Sequence, residues 1–464
     1  MVELSLLGAA TEQPRRDCLI ADGRAWSYAQ VAARVRAALA SLADRGVKPG
    51  DRVALTPDVD VDSLVWLYAL LELGCPAVLL HPRLRDRERA LLLEEARPSH
   101  QIDGWTLGGA SAGQVMLPAP ISVEQTLAIA YTSGSRGGPR GARLSRRAFI
   151  ASEAAHAANL GWQADDRWLL CMPPAHVGGL SIVTRSLIAR RCVVLSSGPF
   201  EPRELVRLMS EDRATILSVV PTMLRRLLRL EEPAWTPSPA LRAVLVGGAR
   251  LPLALRELAQ NRRVPTFATY GCTEACSQVT TQTPGQSGSP GSGPPLPGIE
   301  LRIEDDEIQI RGDVLMDGYL GEDRSGEPWT ADGWLRTGDF GSFLPDGQLL
   351  VQGRLDDIIV TGGENVAPQE VEAWLETVPG IASACVFSLP HAEWGEELVA
   401  ALVTDPRRYS ADGLRKRLGK DLAAYKHPKR ICLLDSLPLN RSGKVDRATV
   451  EARCAGKLKP VLAL

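Results

Sequence analysis

Residues 270–281, Tyr-Gly-Cys-Thr-Glu-Ala-Cys-Ser-Gln-Val-Thr-Thr, set a hydroxyl and a carboxylate directly after a β-compatible apolar run from Val264 to Thr269. A strand end of this kind can present Thr273 to phosphate oxygens and Glu274 to a hard divalent cation. Taken alone, the residues fit an ordinary strand-to-helix corner with Glu274 in solvent equally well. Further stretches carry matching chemistry. Tyr131-Thr-Ser-Gly-Ser-Arg-Gly-Gly-Pro-Arg-Gly141 follows the apolar run Leu127–Ala130 with hydroxyls and glycines, whose backbone N–H groups can surround phosphate. It lacks the Gly-x-x-x-x-Gly-Lys spacing of a Walker loop, and a surface turn is its other reading.

Leu245-Val-Gly-Gly-Ala-Arg-Leu-Pro252 places glycines at a strand end, where backbone can approach a flat ligand closely. In Trp334-Leu-Arg-Thr-Gly-Asp339 the carboxylate can accept two ribose hydroxyls. Gly353-Arg354-Leu-Asp356-Asp357 offers a cation to the same ribose or to phosphate. Leu437-Pro-Leu-Asn-Arg-Ser-Gly-Lys444-Val-Asp-Arg447 sets one lysine on a glycine turn. Each also has a bland counterpart: a tight turn, a turn aspartate, a surface ion pair and a solvated lysine.

The elements that must position these groups alternate. An amphipathic helix from Trp26 onward (Val31, Val35, Leu39, Leu42) closes at Gly46 and the Pro49-Gly50 turn before strand Arg52–Leu55. Helices of similar length separate short apolar strands as far as Val264–Thr269, which predicts an α/β fold with parallel sheets. Gln282 to Gly298 is rich in Gly, Pro and Ser, and short alternating strands follow, so a small β-rich subdomain is expected over about 284–355. The remaining residues, with their own mixed pattern, read as a separate α+β domain. The expected division is therefore 1–355 and 356–464, with the boundary at Asp356.

At 464 residues the chain is too long for one ordinary core and suggests about three domain-sized units. Hydrophobic content of 45% with 23% charged residues indicates a globular protein, not a disordered one. A net charge of −2 gives no reason to invoke nucleic acid or an anionic membrane. The start, Met-Val-Glu-Leu-Ser-Leu-Leu-Gly, lacks the basic and long apolar segments of a signal peptide. The apolar region Leu64–Leu80 is broken by Glu72, Gly74 and Pro76, so no membrane span is expected. The nine cysteines form no Cys-x-x-Cys pair and the six histidines are scattered. Reduced thiols in a cytoplasmic protein are expected, not zinc.

In this order and spacing, the chemistry-bearing stretches resemble the adenylate-forming superfamily of acyl-CoA synthetases, adenylation domains and luciferases, over nearly the whole chain. The resemblance implies reaction of ATP and a carboxylic acid to an acyl-adenylate, then transfer of the acyl group to a thiol, with Mg²⁺ and coenzyme A required. It implies that the loop from Thr132 through Ser133, Gly134, Ser135 and Arg140 holds the β- and γ-phosphates. Gly248 and Ala249 flank adenine, with Tyr270 and Gly271 beside it. Thr273 contacts the α-phosphate, Glu274 binds Mg²⁺, and Asp339 and Arg354 hold the ribose. Lys444 bridges the attacking carboxylate and the α-phosphate. Asp356 matches the family's hinge, about which the C-terminal domain turns to bring Gly362 and Gly363 to the thiol channel. Arg140 departs from the pattern, since the loop usually ends Pro-Lys-Gly. Arginine keeps the charge but is not interchangeable with lysine, and this departure motivates a nucleotide-binding regulator as one alternative.

Ala275 to Thr281 completes what looks like the Thr-Glu-x-x-Ser-Gln-x-x-Thr signature of o-succinylbenzoate–CoA ligases of menaquinone and phylloquinone synthesis. The segment Pro173-Pro-Ala-His176-Val-Gly-Gly-Leu-Ser181 is similar to that family's acyl-pocket segment, although a lone histidine such as His176 is more often structural. The acid has a ring and a spectator carboxylate. Ser277, Gln278 and Arg185 are candidates for the carboxylate, with Arg185 alternatively facing solvent; Gly178, Gly179 and Gly271 would leave room for the ring. A ligase for another aryl or medium-chain acid, and an adenylation module that loads a carrier protein, share most of these residues. Homo-oligomerisation stays open.

Overall fold

The computed structural model describes residues 4–102, 121–132, 139–230, 235–322, 324, 326–440 and 443–461. Ser133, Gly134 and Ser135 lie outside them. Continuous apolar runs produce short parallel strands buried on both faces. Five meet in the middle of an eight-stranded sheet, ordered Thr266–Cys272, Ala243–Val246, Ile216–Val219, Arg167–Leu170 and Cys192–Leu195. A second, five-stranded sheet is ordered His100–Ile102, Val53–Leu55, Ala77–Leu79, Thr126–Tyr131 and Gly141–Ser145, its last strand antiparallel.

Successive residues of a strand point to opposite faces, and here both faces are core. Trp168, Leu170, Val193 and Leu245 enter a cluster shared with helices Tyr28–Asp44, Val61–Leu73, Arg146–Leu160 and Val177–Ile188, whose residues link the two sheets. Leu169, Val194, Leu217 and Val244 face the other way, against helices Pro202–Glu211, Pro221–Leu228 and Leu253–Asn261. Local chemistry sets the helix ends. Asp60 and Ser145 accept backbone N–H bonds as N-caps, proline opens Pro202–Glu211 and Pro221–Leu228, and Gly74 closes Val61–Leu73 at φ 71°.

Two expectations change here. The first long helix does not begin near Trp26. That residue lies in a strand, Arg24–Ser27, hairpinned to Asp17–Ala21 at the sheet's far edge, and the Ser27–Gln30 capping box starts the helix at Tyr28. Residues 270–281 are not a strand-to-helix corner either. Thr266–Cys272 passes through a single 3₁₀ turn, Thr273–Ala275, into an antiparallel strand, Ser277–Thr281. The reversal needs left-handed backbone at Cys276 (φ 48°) and positive φ at Ser277 (91°).

A four-stranded antiparallel sheet follows: Ile299–Glu304, Glu307–Gly312, Leu335–Phe343 and Leu349–Arg354. The last portion has a six-stranded sheet of its own, in which the long strands Ile381–His391 and Gly395–Thr404 pair, with core clusters on both faces. All nine cysteines are free thiols. Among the described residues no helix is long and apolar enough to cross a membrane.

The hairpin at 270–281 leaves no room at its bulge: a Cβ on Gly271 would lie 1.5 Å from the Ser277 carbonyl oxygen. Gly271→Ala is expected to destabilise the protein by about 2–3 kcal/mol, as overpacking against immovable atoms does. A lowered urea midpoint checks this.

Candidate active site

The carboxyl ends of the parallel strands open into two adjoining cavities, where an open α/β sheet ordinarily binds ligands. The first, of about 870 Å³, is lined by Thr132, Arg140, Gly248, Ala249, Tyr270 and Gly271. Thr273, Glu274, Asp339, Arg354, Asp356 and Lys444 complete its wall. The second, of about 730 Å³, takes His176, Gly178, Arg185, Ser277 and Gln278, together with apolar Trp168, Met172, Phe200 and Met223. Gly248, Thr269, Gly271, Cys272, Thr273 and Lys444 line both cavities, so the two meet at these residues.

In the first cavity a cross-strand pair fixes the carboxylate. Asp339 stands opposite Arg354 in the antiparallel ladder, and Arg354 Nη1 donates to Asp339 Oδ1 at 3.2 Å and to the Thr337 carbonyl at 3.0 Å. The Tyr270 hydroxyl donates to Asp339 Oδ2 at 2.7 Å. Burial raises the Asp339 carboxyl above its ordinary range, while Arg354, Tyr270 and Lys444 pull it back. Gly338, at φ 68°, lies beneath the guanidinium; a Cβ there would sit 2.9 Å from Arg354 Nη2. Glu274 accepts the Tyr319 hydroxyl at 2.7 Å. The Arg140 guanidinium lies 3.6 Å from the centre of the Tyr319 ring and pairs with Glu322. Arg140, Tyr319 and Glu274 thus form one layer.

Lys444 arrives from the C-terminal portion on a tight turn. Asn440 N donates to the Lys444 carbonyl at 2.7 Å, Lys444 N donates back to Asn440 Oδ1 at 3.0 Å, and Gly443 has φ 78°. The turn is held to the large portion by Thr222 Oγ1, which donates to the Gly443 carbonyl at 2.8 Å. Gly248 has φ 77°, a conformation that favours glycine, and a Cβ there would press on Val220 Cγ1 at 3.2 Å while meeting Lys444 Cε at an ordinary contact distance of 3.6 Å. Burial lowers the Lys444 pKa and the Asp339 charge opposes this.

The wall of the second cavity holds a buried cation. Arg185 is only 1% exposed, on the inner face of helix Val177–Ile188, which corrects the expectation that it may face solvent. Its guanidinium donates to Gln278 Oε1 and, at 2.7 Å, to Ser152 Oγ. Gln278 is held in turn by Thr281 Oγ1 at 3.0 Å and lies 3.2 Å from His156 Nδ1. Burial lowers the Arg185 pKa to about 10, so the group remains a cation at neutral pH. Among the described residues no carboxylate forms an ion pair with it. Its hydrogen-bond partners are neutral, and the Glu153 charge acts on it from farther off. Gly178 does line this cavity. Gly179 does not: a Cβ there would meet the Pro173 carbonyl oxygen at 2.6 Å, so it serves backbone packing, whereas Gly271 both packs against the Ser277 carbonyl and lines the two cavities.

Gly362 and Gly363 form the exposed turn of hairpin Ile359–Thr361/Glu364–Val366 and line neither cavity. Asp356 lies in the 3₁₀ turn Leu355–Asp357, its carboxylate 3.8 Å from Arg354 Nη2. Tyr319, Thr222, Arg226 and Phe200 were not singled out from the sequence. Thr222 and Arg226 carried one usable signal, their place just beyond the apolar strand Ile216–Val219. Tyr319 carried none.

Burial, then the positive charge of Lys444, lowers the His176 pKa to about 4. The unfolded chain, near the ordinary 6.5, therefore binds more protons between those values, and stability falls as pH drops from 6.5 towards 4. The loss is expected to be smaller in His176→Asn than in the parent. Melting temperatures of both across that range check it.

Residues 7–108 and 100–320 match the AMP-binding enzyme family, and residues 370–444 match the AMP-binding enzyme C-terminal domain. The chain is 34% identical to 2-succinylbenzoate–CoA ligase of Bacillus pumilus, over 97% of each protein. It superimposes on o-succinylbenzoate CoA synthetase from Bacillus subtilis in complex with the acyl-adenylate intermediate with a TM-score of 0.88 and 31% identity, covering 96% of this chain and 97% of that one. The same enzyme in complex with ATP and magnesium ion gives a TM-score of 0.87 with 31% identity, over 96% and 98%.

Proposed function

The chain belongs to the AMP-binding enzyme family, and on that premise we propose that it is an ATP-dependent o-succinylbenzoate–CoA ligase of menaquinone or phylloquinone synthesis. The observation that carries this reading is the junction of a polar cavity and an apolar one at Lys444 and Thr273. In the first half-reaction the succinyl carboxylate attacks the α-phosphorus of ATP, giving acyl-adenylate and pyrophosphate. In the second, the thiol of coenzyme A gives up its proton, attacks the acyl carbon and displaces AMP.

Two anions must meet at the junction, and a preorganised cation there lowers the barrier most where negative charge accumulates. Lys444 supplies it, and Thr273 offers a hydroxyl to the α-phosphate. The remaining acceleration comes from holding both reactants in line. Asp339 and Arg354 orient the ribose, with Gly248, Ala249 and Tyr270 bounding the base. Thr132 and Arg140, which line the cavity, would hold the β- and γ-phosphates. Glu274 is a single carboxylate beside this space, the donor set of a magnesium held mainly by phosphate oxygens and water. When bound, the ion supplies charge neutralisation on the phosphates.

The apolar walls of the second cavity suit the aromatic ring, and the Arg185–Gln278 pair with Ser277 suits the spectator carboxylate. His176, neutral by its lowered pKa, closes the cavity near Lys444 without adding charge. In the arrangement described, Lys444 is in place for the first half-reaction, and Gly362 and Gly363 are away from the cavities. Rotation at Asp356 would exchange them for the second.

Incubation with ATP, Mg²⁺ and coenzyme A against a panel of acids, following AMP, pyrophosphate and thioester, tests the reading. Release of AMP with another acid but not with o-succinylbenzoate would overturn the substrate. Lys444→Ala is expected to slow adenylation on the order of 10²–10³-fold and to spare thioester formation from supplied acyl-adenylate; equal loss in both steps would remove its assigned role. Asp356→Pro is expected to impair thioester formation more than adenylation, read from the two half-reactions measured separately.

A further inference from the structure

Helix Pro221–Leu228 touches three parts of the molecule. Its inner face, Leu224, Leu227 and Leu228, is buried in the core beside the eight-stranded sheet. Thr222, Met223 and Arg226 line the apolar cavity. Thr222 and Arg225, three residues apart and hence on one face, reach across to the C-terminal portion. Thr222 bonds the Gly443 carbonyl beside Lys444. Arg225 donates through Nη1 to the Ala382 carbonyl, and its Nη2 lies 3.9 Å from Glu376 Oε1.

The far end of this contact is coupled rigidly to Lys444. Ala382 is the second residue of the strand Ile381–His391, and Glu376 caps the helix Pro368–Leu375 that packs on it. Arg447, three residues after Lys444, bonds both elements: Nε to the Val386 carbonyl at 2.9 Å and Nη2 to Glu372 at 2.7 Å. Its Nη1 reaches Asp357 at 3.0 Å. A shift at Ala382 and Glu376 is therefore a shift at Lys444. Glu376 is largely buried, which pushes its carboxyl up to about 7 against the opposing influence of Arg225. The other polar bridge nearby, Arg250 Nη1 to the Gln369 carbonyl, is long at 3.4 Å.

We propose that Arg225 is a positioning residue for the first half-reaction: it clamps the C-terminal portion in the arrangement that seats Lys444 at the cavity junction, and it must release before the thioester step. This rests on the two-step reaction proposed above. The clamp's own helix forms part of the acid cavity, so the element that senses the acid also holds the lysine. If the bond forms in this arrangement alone, removing it destabilises this arrangement and shifts the population towards the other.

The test measures the two half-reactions separately in Arg225→Met, Arg225→Lys and Glu376→Gln: acid-dependent ATP–pyrophosphate exchange, and thioester formation from supplied acyl-adenylate and coenzyme A. Arg225→Met is expected to lower the kcat of exchange roughly ten- to a hundredfold, leave the KM for the acid within about twofold, and retain the thioester step. Retention of that step also reports a folded protein. Arg225→Lys should recover part of the exchange rate, and Glu376→Gln should show the same split in weaker form. Equal loss in both half-reactions, or full exchange activity in Arg225→Met, overturns the clamp. Should the parent exchange with a different acid instead, the substrate reading falls, and the same comparison made with that acid still decides the clamp.

Discussion

The Lys444 side chain stands at the meeting point of two cavities, crowded by protein yet open to solvent, and a cation there is stabilised by opposite charge or strong dipoles nearby. Asp339 provides the opposing charge but is shared with Arg354, so the lysine is held close to a carboxylate that another cation already grips. A cation in that balance is available to incoming anions. Much of the surrounding architecture keeps it there: Gly443 in left-handed backbone behind it, and Thr222 pinning the turn from across the gap.

One hairpin connects the two halves of the site. Ala275, Cys276 and Val279 anchor residues 270–281 in the main core, while Tyr270 and Glu274 face the polar cavity and Ser277 and Gln278 face the other. Nucleotide and acid groups are therefore placed by a single stiff backbone, and their separation cannot drift independently. The C-terminal portion is different. It has its own clusters of buried residues and meets the large portion through a small number of polar contacts, the pattern expected of parts that move relative to each other. Rigidity on one side of Lys444 and polar contacts on the other suit a site in which one group must come and go.

The alternation of apolar strands with helices was enough to predict parallel α/β sheets, because strands buried on both faces need unbroken apolar runs and crossover helices. The stretches containing Thr273, Asp339, Arg354 and Lys444 were readable for a similar reason. Each couples a strand end or turn to a residue type with specific chemistry, and such couplings are local in sequence. Local patterns misplaced what depends on pairing. The strand Arg24–Ser27 does carry a hairpin signal, Asp22-Gly23 with both residues at positive φ, whereas the return strand Ser277–Thr281 carries none and exists because it finds an edge to pair with.

The sequence by itself determined which chemical groups the protein has and the order in which the chain delivers them. Only the tertiary structure decided that Arg185 is a buried cation and not a solvent-facing one, that Gly179 and Gly271 are fixed by close backbone carbonyls, and that Tyr319 secures Glu274. It alone placed Arg225 against the C-terminal portion. The physical reason is the same in each case: exposure, close approach and pairing are set by residues 6 to more than 150 positions away, and no periodicity or spacing along one segment encodes what another segment brings against it.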